Sequence, residues 1–545
     1  MDADHAPARA VVVDPEGDSF LVREGERSLR VDAAGLAAVV LARRDDPRWV
    51  WDTPRVYPVL LAAGVRVGRA WDLRLARAVL RRAAGTPEAA AWPRDEWDDP
   101  ALAADDGALG IDVAPTPPAA EEHRRQLSLL EGAERPGALR LLITAESAGA
   151  LAAAEMRVTG LPWSASEHLR VLDGLLGPRP TAGARPARLE ALVEEVRAAL
   201  TAPALNPDSP VELSRALRLA GIAVASTRAD DLRRVEHPVV APLLAYKKLA
   251  RLHAANGWHW LDAWVRDGRF HPDYVVSGVV TGRWATRGGG ALQLPRQIRS
   301  AVVADPGWCL VVADAAQLEP RVLAGLAHDR AMATAGHGRD LYDGMVASGA
   351  VADRASAKVG MLGALYGATS GDGGRLVPRL AQRFPRALAL VEQAARDGER
   401  GGTVHTLLGR GSPPPGAAHR AAIAAGGGVE ADDALQRRAR AAARDRGRFT
   451  RNFVVQGTAA EWALCWLADL RQRLWLLGDG ELAERPQLVY FLHDEVIVHA
   501  PVALAAEVEA AVRAAARTAG RLLFGDFPID FPLDVAVVER YSDAG

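Results

Sequence analysis

Two acidic positions in this chain stand where carboxylates are seldom found. Asp314 ends the apolar run Leu310-Val311-Val312-Ala313, and His493-Asp494-Glu495 interrupts two apolar runs, Val489 to Leu492 and Val496 to Val498. Each acid alone is also consistent with an ordinary strand-end carboxylate. As a pair set against so much apolar sequence they call for a reason, because charge is costly to keep there. Phosphoryl transfer supplies one, since two Mg²⁺ ions roughly 4 Å apart require shared hard oxygen ligands. Asp314 and Asp494 are the expected bridging ligands.

A second constellation lies between them. Arg354, Lys358, Leu362 and Tyr366 recur at every fourth position, which predicts one helical stripe about 18 Å long. It would bring two cations to a triphosphate, an apolar surface to a base and a ring to a sugar. The alternative is a solvated Arg/Lys pair on an amphipathic helix. Lys358 argues against that reading, since the only other lysines are Lys247 and Lys248 and positive charge is otherwise carried by arginine. A compact donor that can also give up a proton suits a leaving pyrophosphate. A third stripe, Arg448, Asn452 and Gln456, follows the same spacing. It grows out of Arg437 to Arg451, where seven arginines face one acid, Asp445. That is a local basic patch of the kind nucleic acid needs, or else a solvated Arg-rich surface.

The elements that must position these groups follow from the pattern. WCLVVAD (308 to 314) and LVYFLHDEVIVHA (488 to 500) read as strands, the second as a hairpin around a tight acidic turn, with a long helical insert between them. A last strand covers Leu533 to Val538. Residues 1 to about 95 mix short apolar runs with helical stretches, a small α/β unit, and a Pro-rich linker runs near 93–118. From about Arg140 to Trp264 the pattern is helical.

Composition sets the frame. The chain has 545 residues, 49% of them hydrophobic, and a formal charge of −2, so it holds a large core and any DNA site must be a patch. Cys309 and Cys465 are too few for a disulfide framework and read as buried thiols, which suits the cytoplasm. The acidic start lacks a signal-peptide core, and no window offers roughly eighteen uncharged apolar residues. Secretion and membrane spanning are therefore not expected.

VVADAAQLEPRVLAGLAHD (311 to 329), RASAKVGMLGALYG (354 to 367) and FLHDEVIVHA (491 to 500) resemble motifs A, B and C of the A-family DNA polymerases, relatives of bacterial DNA polymerase I. VTGRW (280 to 284), LQLP (292 to 295) and RNFVVQGTAAEWA (451 to 463) resemble flanking segments of the same family. The resemblance implies an α+β right-hand polymerase of palm, fingers and thumb, preceded by a small α/β exonuclease-like (ribonuclease H-like) domain. The expected divisions are 1–135 for that domain and its linker, 136–265 for the thumb, 266–330 and 451–545 for the two parts of the palm, and 331–450 for the fingers.

The resemblance also implies roles. Asp314 and Asp494 would hold two Mg²⁺ ions, for which Mn²⁺ can substitute, with Glu495 nearby and the backbone carbonyl of Ala315 as a further ligand. Arg354 and Lys358 would grip the incoming dNTP, with Gln317 and Tyr342 close by and Leu362 and Tyr366 against its sugar and base. Glu319, held by Tyr366, would fill the space of a ribose 2′-OH. Arg283, Gln293, Arg448, Asn452, Gln456 and His493 would contact primer-template DNA. The implied enzyme is a monomeric, bacterial, nucleoid-associated polymerase that needs no membrane.

Departures from the family pattern are local. Ala315-Ala316 replaces the usual Tyr-Ser, Leu362 an aromatic residue and Tyr342 a histidine, which predicts weaker nucleotide binding and admits a catalytically weak, polymerase-like DNA-binding protein as the alternative. A two-metal nuclease built on Asp314, Asp494 and Glu495 would have no use for the Arg354/Lys358 stripe. In the amino-terminal unit only Asp52 lies near an expected proofreading ligand. Asp14-Pro15-Glu16 falls in an expected hairpin turn, so the exonuclease-like domain reads as degenerate. No leading 5′-nuclease domain is expected.

Overall fold

The computed structural model describes residues 9–98, 116–181, 183–224, 226–288, 294–368, 371–428 and 431–545. The chain divides into two compact units, one of residues 1–159, 274–285 and 311–537 and one of residues 160–273, 286–310 and 538–545.

The first unit begins with a five-stranded sheet built from β1 (Ala10–Glu16), β2 (Ser19–Glu24), β3 (Arg27–Val31), β4 (Arg48–Trp51) and β5 (Arg69–Asp72), in the order β3-β2-β1-β4-β5. β1, β4 and β5 run parallel, while β1, β2 and β3 pair antiparallel. Successive side chains go to opposite faces, and two cores form accordingly. Val11, Val13, Trp49 and Trp51 pack on one face, and Val12, Val50 and Trp71 on the other. The strand β1 runs through Asp14, Pro15 and Glu16, so these residues lie in the sheet and the hairpin turn falls at Gly17 and Asp18 instead.

Helix α1 (Pro136–Thr159), expected at the start of the thumb, belongs to the first unit because both its faces are buried there. Leu151 joins one core of the sheet, and Leu139, Leu142 and Ile143 join the other. By length and composition this helix is apolar enough to cross a membrane, with a mean hydropathy of 1.2. Its two buried acids have partners across the unit. Glu146 pairs with Arg410, and Glu155 accepts from Arg471 Nε at 2.8 Å and is paired with Arg66 at 3.2 Å. Against burial, the Arg471 and Arg66 charges hold the Glu155 carboxyl below its usual range, whereas burial outweighs Arg410 and pushes the Glu146 carboxyl up.

The site is carried by a second, four-stranded sheet of β6 (Trp308–Ala315), β7 (Gln487–Leu492), β8 (Glu495–Pro501) and β9 (Leu533–Val538), in the order β7-β8-β6-β9. Around it stand α2 (Leu318–Leu326), α3 (Arg354–Tyr366), the 44-residue α4 (Asp433–Leu476) and α5 (Ala505–Phe524). Cys309 and Cys465 are free, buried thiols.

The second unit is helical, with its core formed by Val196, Leu213, Leu217 and Leu243 from three helices and Ile222 and Leu232 between them. The carboxy-terminal residues join it through Ala304 N–H to Glu539 O at 2.9 Å and Tyr541 N–H to Val302 O at 3.0 Å.

Candidate active site

Strand β6 ends at an exposed acid because its burial lapses at one position only. Cys309 to Ala313 are buried, Asp314 is exposed, and Ala315 is buried again. The β7-β8 hairpin closes with Leu492 opposite Glu495, leaving His493 and Asp494 in the turn, and His493 takes the left-handed φ of +56°. The two acidic segments meet through the backbone, since Ala315 N–H donates to Asp494 C=O at 2.9 Å. The two expected metal aspartates, 180 positions apart in the chain (494 − 314), are thus brought to the end of β6 and to the turn that leads into its neighbour β8.

Burial pushes the Asp494 carboxyl up to about 6, with Arg283 acting against the rise and Glu319 and Glu495 adding to it. Burial and then the Arg283 charge hold the His493 imidazole down at about 4, so it is neutral at physiological pH. An acid that its surroundings make reluctant to ionise gains from a bound cation. Among the described residues no group of three or more His, Cys, Asp and Glu forms a ready-made metal cage. The donor set is two carboxylates and backbone oxygen, which fits Mg²⁺, an ion that takes one or two carboxylates and completes its shell with substrate phosphates and water.

The expected stripe forms. Arg354, Lys358, Leu362 and Tyr366 are all exposed on α3, while Ala357, Met361, Ala364 and Leu365 are buried behind them. Asp353 caps the first turn by accepting from Ser356 N–H at 2.8 Å, and Gly367 ends the helix with φ +72°. Glycine suits this left-handed φ, and a Cβ there would also lie 3.1 Å from Arg448 Cγ. The Tyr366 hydroxyl donates to Glu319 at 3.3 Å, as expected.

Three contacts were not legible in the sequence. Arg283, expected on DNA, is ion-paired with Glu319. Arg354 is held by Asp340 at 2.8 Å and lies over the Tyr342 ring at 5.7 Å. The same Asp340 carboxylate accepts from Gln317 Nε2 at 3.1 Å, and its other oxygen caps Tyr342 and Asp343 N–H at 2.8 and 3.0 Å. Gln317 sits at a left-handed φ of +50° as the N-cap of α2. Asp340 therefore gathers Gln317, Tyr342 and Arg354, three residues that the stripe and motif readings named separately. The third contact is Tyr274, whose hydroxyl donates to Phe491 O and accepts from Phe491 N–H, both at 3.0 Å, bracing the strand that leads into the acidic turn.

Along α4, Arg448 is exposed and Asn452 and Gln456 are half-buried, while Arg446, Thr450, Arg451, Val454 and Val455 face inward. Arg448 is ion-paired with Asp445. Arg451 donates to Ala364 O at 2.8 Å and ties α4 to the last turn of α3. Gln293 lies outside the described residues.

Comparison with known proteins agrees with this arrangement. A profile described as DNA polymerase family A matches residues 184–539. The thermostable DNA polymerase I of Thermus filiformis is 29% identical over 340 residues, covering 57% of this chain and 36% of that protein. DNA polymerase I of Chloroflexus aurantiacus is 28% identical over 316 residues, covering 52% and 30%. The chain thus matches about a third of the length of these relatives. A solved structure, the POL domain of Pol1 from M. smegmatis in complex with DNA primer-template and dNTP, has the same fold, with a TM-score of 0.71 at 18% identity over 98% of this chain and 96% of that one. The profile alone spans more than half of the sequence, and the chain belongs to DNA polymerase family A.

Proposed function

We propose that this chain is a template-directed DNA polymerase that adds dNTPs to a primer 3′-OH with two Mg²⁺ ions. The reading rests on the hydrogen bond from Ala315 to Asp494, which joins the strand ends bearing two carboxylates, together with the exposed cationic stripe on α3.

Asp314, Asp494 and the Ala315 carbonyl would hold the ions, with Glu495 beside them. When bound, the metals lower the pKa of the attacking hydroxyl and stabilise the leaving oxygen. The chain's own residues supply the rest. Arg354 and Lys358 bind the triphosphate, and Lys358 stands ready to protonate pyrophosphate. Leu362 supports the base. Glu319, fixed from two sides by Tyr366 and Arg283, presents a filled volume to a ribose 2′-OH and rejects ribonucleotides. Arg448, Asn452, Gln456, Arg283 and the neutral His493 contact primer-template DNA, and Gln293 joins them. The enzyme acts as a monomer in the cytoplasm.

Proofreading is not expected of the amino-terminal sheet. Asp14 accepts from Ala119 N–H at 2.8 Å and pairs with Arg23 at 3.1 Å. Asp72 accepts from Thr53 and Leu75 N–H at 3.0 and 2.9 Å, and Asp52 lies 3.6 Å from Arg74. Asp14 and Asp72 thus serve the backbone and Arg23, and among these acids only Asp52 keeps a buried oxygen without a hydrogen bond, which supports a degenerate exonuclease-like domain.

One observation favours a weaker enzyme. Arg354 is already engaged by Asp340 and Tyr342, so a triphosphate must compete for it. Primer extension with Mg²⁺ and each dNTP and rNTP, alongside Asp494→Ala, tests the proposal. Extension that requires Asp494 and discriminates against rNTPs supports it, and DNA binding without extension would leave the polymerase-like DNA-binding protein.

A further inference from the structure

On α5, Arg513, Arg517 and Arg521 recur at every fourth position and so share one face. That face borders a groove of about 480 Å³ whose other walls are Ile529, Phe531, Pro532 and Leu533, a volume typical of ligand sites. The polymerase chemistry uses none of these side chains.

The three arginines are not equivalent. Arg513 is committed, paired with Glu509 at 2.8 Å and donating to Leu533 O at 3.0 Å, which fixes the edge of the groove. Arg517 and Arg521 are exposed, and their side chains have no ion pair or hydrogen bond among the described residues. The acid among the residues lining the groove is committed elsewhere. Asp530 is held by the buried Arg321 at 2.7 Å and by Gly338 N–H at 2.9 Å.

The apolar wall is equally well fixed. Phe531 stacks on Phe524 at 5.6 Å and lies 5.1 Å from Trp462 between ring centroids. It comes so close to α5 that a Cβ on Gly520 would stand 3.0 Å from its ring. Ile529 and Pro532 remain half-exposed beside it. Two uncommitted arginines whose Cβ atoms stand about 6 Å apart along one helix face, set against a rigid apolar wall, are complementary to a ligand carrying carboxylates next to apolar side chains.

We propose that this groove is a docking site for an acidic, apolar-rich peptide segment of a partner protein. Its carboxylates pair with Arg517 and Arg521 and its apolar side chains lie on Ile529 and Phe531. Guanidinium is suited to such pairs because its planar fork matches a carboxylate. A nucleic-acid strand fits less well. It calls for a continuous cationic track and gains little from a concave aliphatic and aromatic wall, whereas a short peptide uses both halves of the groove.

The test is fluorescence anisotropy on the full chain, with a fluorescein-labelled peptide of roughly eight alternating Asp and Leu residues as probe. Saturable binding is expected, weakened about tenfold or more by Arg517→Glu with Arg521→Glu and by replacing Asp with Asn in the probe. Ile529→Ser is expected to weaken it by a smaller factor, and an oligo(dT) of similar length is expected not to compete. Circular dichroism and unchanged primer extension by each variant establish that it is folded. Absence of saturable binding, binding indifferent to the two charge reversals, or displacement by oligo(dT) as strong as by unlabelled peptide would each overturn the proposal.

Discussion

The molecule carries two sets of sheet-borne acids, and they have opposite fates. In the amino-terminal sheet, Asp14 and Asp52 lie two residues beyond the paired Val12 and Val50, and Asp72 is paired with Trp51. The oxygens of Asp14 and Asp72 are taken up by Ala119 N–H, Arg23 and helix N-termini, and Asp52 lies 3.6 Å from Arg74 with its Oδ1 buried and without a hydrogen bond. In the second sheet, Asp314 ends an otherwise buried strand and points to solvent beside the turn that carries Asp494. The contrast teaches that proximity of carboxylates is not enough for metal chemistry. A carboxylate whose lone pairs are spent on backbone N–H groups is structural, and Asp314 differs from those by its exposure at the end of a buried strand.

The contrast breaks most sharply by mutation. Asp494→Ala or Asp314→Ala should cost about a thousandfold or more in single-turnover primer extension, whereas Asp52→Ala should leave extension unchanged and alter no 3′ trimming. Mg²⁺-dependent trimming that Asp52→Ala abolishes would make the two sites equivalent. Next in size, Lys358→Ala should slow incorporation by about a hundredfold with DNA affinity unaltered, and an unchanged rate would return Lys358 to the solvated surface. Tyr274→Phe should then cost about 1–3 kcal/mol of stability, because it strips Phe491 of partners for both its N–H and its C=O; equilibrium denaturation measures it.

The smallest effect sharpens the comparison through pH. Burial, and then the neighbouring Asp72 charge, push the Asp52 carboxyl up to about 7. Its folded pKa is above its unfolded value, so its favourable contribution is complete below the unfolded pKa near 4 and is lost as pH rises towards 7. Asp52→Asn imitates the protonated acid. The advantage of the variant over the parent should widen as pH rises from about 4 to 7 and reach about 2 kcal/mol or less at pH 8, read as a higher Tm. Equal melting at pH 8 would show that Arg74 already neutralises the acid.

What sequence could and could not anticipate follows the same division between local and distant. The α3 stripe, the acidic hairpin turn and the Tyr366 to Glu319 bond rest on spacing within one element or on family motifs, and the structure has the geometry expected of them. Membership of the family was legible for the same reason. The Arg283 to Glu319 pair and the Tyr274 brace join residues 36 and 217 positions apart, and no periodicity encodes such meetings. Asp340 had a local signal that went unused, because an acid directly before a helical run is a common N-cap. The helical pattern of α1 is the same whether it lies in an arm or in a core, so sequence alone does not tell which unit it joins.

That helix has a consequence for dissecting the protein. Glu146 and Glu155 sit deep in an apolar rod, and the arginines that answer them, Arg410 and Arg471, come from sequence 264 and 316 residues later. A fragment ending after residue 159 would leave Glu146 stranded, at a cost of about 3–5 kcal/mol for the broken pair, would leave Glu155 with only Arg66 and Tyr57, and would expose the hydrophobic flank they interrupt. The amino-terminal sheet and the polymerase fold are therefore expected to resist separation by truncation, and the excised piece to aggregate.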